Sequence, residues 1–106
     1  LFKVAVRSMT EISRDVLETS GLSSNDVDLV IPHQANQRIT EAVASKLNID
    51  LAKVYSNIAV HGNTSSASIP IALDECVESG RVNDGDVLLL TSFGGGVTWG
   101  SVVMRW

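Results

Sequence analysis

Short apolar runs alternate with stretches of helical spacing along this chain, which predicts an α/β fold in the order α-β-α-β-α-β-β. Helices between strands imply a mostly parallel sheet with helices packed on it, because parallel neighbours need a crossover connection. Gly94-Gly95-Gly96 joins the last two strands, in keeping with a closing antiparallel hairpin. A length of 106 residues suits one domain with its own core, so residues 1–106 are read as a single domain.

The first helix is expected over Phe2–Ser20, where Ala5, Met9, Ile12 and Val16 recur at helical spacing. Phe2, Val6 and Leu17 widen that stripe, and Gly21 supplies the stop. Arg7–Glu11 and Arg14–Glu18 are four-apart pairs on the wet face, worth about 0.2–0.5 kcal/mol each. Val27–Ile31 reads as a buried strand that Pro32-His33-Gln34 ends, and a second helix follows on Ala35, Ile39, Ala42, Val43 and Leu47. Lys53–Ile58 reads as a further strand. The polar stretch from His61 to Ser65 then leads into a third helix. That helix carries Pro70 in its first turns, where a missing N–H costs least, and buries Ile69, Ala72, Leu73 and Cys76 before Gly80. Asp74, Glu75 and Glu78 are assigned to its wet side. Asn83–Asp86 is a turn, Val87–Leu90 a buried strand, and Val97–Arg105 the last strand.

Composition narrows the function classes. Eight Lys+Arg against twelve Asp+Glu give a net charge of −4, with no basic cluster, which argues against nucleic acid or an anionic membrane as partner. No apolar run approaches the roughly 18–20 residues that a membrane span needs. A single cysteine, Cys76, excludes an intrachain disulfide framework and fits a reducing compartment. The chain opens Leu1-Phe2-Lys3-Val4 within a helical pattern and with no signal-peptide pattern, so it reads as cut from a longer one. Such a cut leaves the sheet incomplete, with apolar face and an unpaired edge exposed.

His33 follows a buried strand and opens a helix, and ligands in open α/β sheets gather beyond the carboxyl ends of strands. A helix N-terminus disfavours the protonated ring, leaving a neutral imidazole able to donate through one N–H. A capping or core histidine satisfied by backbone is the alternative. Asn63, in a loop before the third helix, either caps that helix or aims its NH₂ into a cleft as an oxyanion donor. Asn63-Thr64-Ser65 also matches a glycosylation sequon, without secretory context. Three glycines at 94–96 are costly in backbone entropy, so close approach of a ligand to bare N–H groups, a sharp bend, or both should require them. A strand follows them, so they are not a dinucleotide fingerprint. Two histidines and one cysteine lack metal-ligand spacing, and the serines 65, 66, 68 and 101 lack a Gly-x-Ser-x-Gly elbow. Cys76 falls on an apolar stripe and reads as a small buried hydrophobe.

Pro32-His33-Gln34-Ala35-Asn36, His61-Gly62-Asn63-Thr64-Ser65 and Phe93-Gly94-Gly95-Gly96-Val97-Thr98-Trp99-Gly100 occur in that order. Together they closely resemble the C-terminal end of the β-ketoacyl-acyl-carrier-protein synthase III family, the initiating condensing enzymes of bacterial fatty-acid synthesis. The resemblance runs along essentially all 106 residues and covers about the closing third of the family's chain.

The resemblance implies the thiolase fold, a cytoplasmic homodimer, and a decarboxylative condensation of an acetyl-CoA-type primer with malonyl-acyl carrier protein. No metal or bound cofactor is implied, since coenzyme A arrives as a thioester substrate. His33 matches the family's catalytic histidine and Asn63 its catalytic asparagine, both donating to the malonyl thioester oxygen. Gly95 matches a glycine whose backbone N–H polarises the acyl-cysteine carbonyl. Asn36 matches a position touching the pantetheine arm, and Gln34, Ala35, Asn36, Gln37 and Arg38 match the stretch assigned to carrier-protein docking. Arg38 there would meet an acidic partner.

Two departures matter. The family's nucleophilic cysteine belongs to an N-terminal half absent from this chain, and Cys76 lies in the wrong segment to replace it. Val97 stands where many relatives carry an aromatic residue, which leaves the acyl-pocket size open. Two other functions stay open at this point. One is a non-catalytic carrier-protein-docking module, which would need no reactive cysteine in a partner half. The other is a related condensing enzyme of the polyketide or quinolone type.

Overall fold

The computed structural model describes residues 2–33, 36–56, 68–94 and 98–106. Helix α1 spans Phe2–Thr19, strand β1 Leu29–Pro32, helix α2 Gln37–Lys46, helix α3 Ser68–Glu78, strand β2 Val87–Gly94 and strand β3 Thr98–Arg105. Short 3₁₀ turns stand at Ser24–Asp26 and Leu51–Lys53.

The strands form a mixed sheet in the order β1-β2-β3. β1 runs parallel to β2, Leu29 opposite Leu88 and Pro32 opposite Thr91. β2 and β3 are antiparallel, from Val87 opposite Arg105 to Gly94 opposite Thr98. Because side chains alternate across a strand, each strand feeds two cores. Val30, Leu89, Phe93 and Val103 pack with Val6, Met9 and Leu17 of α1 and Val43 of α2 on one face. Leu29, Ile31, Leu88, Leu90 and Met104 pack with Ala72 and Cys76 of α3 on the other. Burial on both faces explains why β1 is apolar at every position.

All three described helices stop the same way. The C′ residue takes a left-handed φ of +74° at Gly21, +57° at Asn48 and +77° at Gly80. The residue after it donates back five positions, Leu22 to the Leu17 carbonyl, Ile49 to Ala44 and Arg81 to Cys76, at 2.8, 2.9 and 2.9 Å. These are Schellman closures, and they satisfy carbonyls that the helix leaves unpaired. Gly21 and Gly80 were legible as stops. Asn48 works because its short polar side chain tolerates the left-handed region.

Several boundaries differ from expectation. β2 extends through the polar Thr91-Ser92-Phe93-Gly94, since pairing with β3 satisfies its backbone over its whole length. Within the described residues, the strand expected over Lys53–Ile58 is a single parallel bridge, Val54 to Val30. Asp50 caps the turn before it, its Oδ1 accepting from the Ala52 N–H at 2.9 Å, which holds Lys53 in 3₁₀ geometry. Residues 57 and 58 lie outside the described residues. Helix α2 begins at Gln37, two residues later than expected, because Asn36 is its N-cap. Arg14 donates to the Lys46 carbonyl at 2.7 Å, tying α1 to the end of α2.

Glu75 is half-buried rather than wet. It accepts from the Tyr55 hydroxyl at 2.8 Å, while the Arg81 guanidinium sits 5.4 Å over the Tyr55 ring. Val102 is 55 % exposed on the α3 side of β3.

Leu88 is fully buried, and Leu88→Ala should lower stability by about 2–5 kcal/mol in urea unfolding, the usual cost of emptying such a site. Burial first, then the bond to Glu75 and its charge, push the Tyr55 hydroxyl from 10.0 up to about 12. A raised acid pKa adds stability that is complete below pH 10 and is lost as the pH rises through about 12. Tyr55→Phe should remove that share of the alkaline loss and cost about 0.5–1.5 kcal/mol at neutral pH, measured by unfolding across the same pH range.

Candidate active site

His33 leaves the carboxyl end of β1 and is held there by the sheet. Its N–H donates to the Thr91 carbonyl at 2.9 Å, extending the parallel ladder one residue beyond Pro32. The strand start is fastened as well, by Asp28 N–H to the Val87 carbonyl at 2.9 Å and Val87 N–H to Asp28 Oδ2 at 2.8 Å. Backbone hydrogen bonds thus fix where the histidine emerges.

A small, open apolar depression lies beside it, lined by Met9, His33, Asn36, Ile39 and Phe93. His33 is half-buried, and burial holds its pKa below the ordinary 6.5. The ring is therefore neutral at pH 7, with one N–H to donate and one nitrogen to accept. The helix N-terminus expected to keep the ring neutral is not at His33, since α2 starts at Gln37, four residues on. Desolvation keeps it neutral instead.

The stretch after His33 is built into α2. Asn36 Oδ1 accepts from the Arg38 N–H at 2.9 Å, so its carboxamide oxygen is spent on the cap and its NH₂ is what it can offer a ligand. Gln37 is exposed, and its Oε1 accepts from the Ser56 hydroxyl at 2.7 Å. Arg38 is also exposed, with its guanidinium 5.5 Å over the Phe2 ring, a cation–π contact that lays it across the start of α1. Gln34, Ala35, His61, Asn63 and Gly95 lie outside the described residues.

Phe93 closes one side of the depression and stacks on Trp99 with ring centroids 6.2 Å apart. One layer below lies a polar cluster that sequence reasoning missed. Ser13 Oγ is 3.2 Å from Thr91 Oγ1 and 3.1 Å from Ser101 Oγ, and Ser101 Oγ donates to Thr91 Oγ1 at 2.7 Å. Ser13 and Thr91 are 0 % and 1 % exposed. A signal was present: Ser13 continues the Ala5-Met9 spacing, so a hydroxyl interrupts the apolar stripe of α1. Cys76 is fully buried in the other core, where burial pushes its thiol up and away from the reactive thiolate. Among the described residues no group of three His, Cys, Asp or Glu could hold a metal ion, and no helix is long and apolar enough to cross a membrane.

The architecture matches known proteins closely. Residues 17–106 fit the family described as 3-oxoacyl-[acyl-carrier-protein (ACP)] synthase III C terminal. The chain is 58% identical over 106 residues to the β-ketoacyl-[acyl-carrier-protein] synthase III of Aquifex aeolicus, covering all of this chain and 34% of that protein. It superposes on the crystal structure of 3-oxoacyl-[acyl-carrier-protein] synthase III from the same organism with a TM-score of 0.99, over 100% of this chain and 34% of that one. The synthase III of Thermus thermophilus gives 0.95 at 46% identity, over 99% of this chain and 33% of that one. The fold is thus that of a thiolase-like condensing enzyme. The chain belongs to the β-ketoacyl-[acyl-carrier-protein] synthase III family, matching its C-terminal domain and spanning about a third of the length of these relatives.

The His33 imidazole should titrate below 6.5 when followed by NMR. A depressed folded pKa adds stability that is complete above pH 6.5 and lost as the pH falls through the folded value, so this share of acid sensitivity should vanish in His33→Gln.

Proposed function

We propose that this chain serves as the C-terminal third of a 3-oxoacyl-acyl-carrier-protein synthase III, contributing the His/Asn half of its active site. The observation that carries this reading is a neutral, half-buried His33 at the carboxyl end of a parallel strand, facing an apolar depression.

In the proposed reaction an acyl group passes from its coenzyme A thioester to a cysteine thiolate in the N-terminal part of the enzyme, and the coenzyme A thiolate leaves. Malonyl-acyl carrier protein then loses CO₂, and negative charge develops on its thioester oxygen. The imidazole N–H of His33 and the Asn63 NH₂ donate to that oxygen, the electrostatic work of an oxyanion hole. The resulting enolate carbon attacks the acyl-cysteine carbonyl, whose oxygen accepts from the Gly95 N–H. Collapse expels the cysteine thiolate and releases the β-ketoacyl product. A neutral histidine suits this role, since a donor that keeps its proton stabilises charge without quenching the carbanion. Cys76, buried in the opposite core with its thiol pKa raised, is unsuited to be the nucleophile.

Acyl carrier protein, itself acidic, would meet the exposed face at Gln34–Arg38, with Arg38 supplying the attracting charge and the Asn36 NH₂ contacting the pantetheine arm. The working enzyme would be a cytoplasmic homodimer needing no metal or resident cofactor.

In the whole synthase, His33→Ala should lower condensation with malonyl-acyl carrier protein by about 10²–10³-fold, the usual cost of one oxyanion donor. Transfer of radiolabelled acetyl from acetyl-CoA to the protein should persist. Undiminished condensation would remove His33 from the chemistry. A protein that neither loads nor condenses, yet binds carrier protein, would favour the docking-module reading.

A further inference from the structure

We infer that Ser13, Thr91 and Ser101 are positioning residues for His33, a buried hydroxyl layer that fixes α1 and the end of β2 around the imidazole. This rests on the reading of His33 as an oxyanion donor.

Three observations support the assignment. Thr91 is the residue that holds His33, its carbonyl accepting the His33 backbone N–H at 2.9 Å, while its hydroxyl oxygen accepts from both Ser13 and Ser101, which also touch each other at 3.1 Å. The three hydroxyls join one helix and two strands that are far apart in sequence, Ser13 lying 78 positions from Thr91 and 88 from Ser101. The cluster also stands directly beneath the depression. Met9 is one helical turn before Ser13, Phe93 is the next residue on the same face of β2 as Thr91, and both line the depression with His33.

Apolar side chains would fill this layer at lower cost, because burying hydroxyls gains little net free energy over burying methyls. What hydroxyls add is direction. Leu or Val contacts tolerate sliding of a helix over a sheet, whereas hydrogen bonds of 2.7–3.2 Å lock the helix to one register on the strands. At this position the locked register sets the spacing between the Met9 wall and the His33 strand end. An oxyanion donor needs that constancy, since its contribution depends on placement relative to the charge it stabilises.

The test uses the whole synthase. Thr91→Val preserves volume and β-branching and removes the acceptor; Thr91→Ser keeps the hydroxyl. In Thr91→Val, kcat for condensation should fall about tenfold, within the 10² that an ångström of misplacement can cost. KM for the malonyl thioester and the rate of primer loading should stay unchanged, and deuterium exchange at the His33 amide should quicken. Thr91→Ser should restore all of these. Wild-type kcat and exchange in Thr91→Val would overturn the proposal, as would an equal loss in Thr91→Ser, which would trace the effect to packing. If Thr91→Val does not fold, Ser101→Ala removes the 2.7 Å bond to Thr91 together with the 3.1 Å contact to Ser13, and is read by the same measurements with the same meaning. Full condensation in His33→Ala would instead sink the reading of the site, while amide exchange, which needs no catalysis, still reports on the cluster.

Discussion

The parallel pairing of β1 with β2 is the constraint on which the site depends. Four residue pairs, Leu29–Leu88 to Pro32–Thr91, bring the strand before His33 against a strand almost sixty positions later. Asp28 fastens one end through backbone and carboxylate together, and the His33 N–H fastens the other. Without this ladder β1 has no fixed direction, and the histidine has no fixed exit point. The helices follow from it: α1 and α2 cover the face carrying Val30 and Leu89, and α3 covers the face carrying Ile31 and Leu88.

The two faces are not equivalent. The α3 core is apolar, with Cys76 present as a small hydrophobe. The α1 core changes character along the strands, from Leu89 and Val103, through Thr91 and Ser101, to Phe93 and Trp99. A polar layer thus separates the deep core from the apolar depression. Dispersion and water exclusion give the deep core its stability, while directional bonds hold the layer under the site in register. The desolvation that keeps His33 neutral belongs to the same construction, because a half-buried ring beside apolar walls does not readily take the second proton that would charge it.

Much of this was legible from sequence. The order of elements, apart from the strand expected over Lys53–Ile58, emerged from two periodicities, and Gly21 and Gly80 marked helix ends because they occupy backbone space that other side chains avoid. His33 stood out from its place after an apolar run. Other features depended on long-range partners. Thr91-Ser92-Phe93-Gly94 is polar enough to read as a connection and becomes strand only because β3 lies alongside. Glu75 looks like a solvated acid until Tyr55, 20 positions earlier, is placed against it. Asn36 was assigned to ligand contact from resemblance, and its role as the cap of α2 escaped although asparagine is a favoured N-cap. Ser13 was overlooked for a related reason: a hydroxyl at a core position has meaning only through its partners, here on two distant strands.

The separation of the paired strands also governs how the chain assembles. β2 and β3 are neighbours in sequence, so their antiparallel ladder closes a short loop and forms early. β1 must instead find β2 across the whole α2–α3 segment, since Asp28 bonds to a residue 59 positions away, and the ordering entropy of that segment is lost before the contact is gained. The hairpin is then the template, and β1 with the loop behind it docks late. His33 stands at the last rung of that late ladder. Seating of the histidine therefore coincides with completion of the native sheet, so a chain that has formed only its hairpin has not yet placed His33 beside the apolar depression.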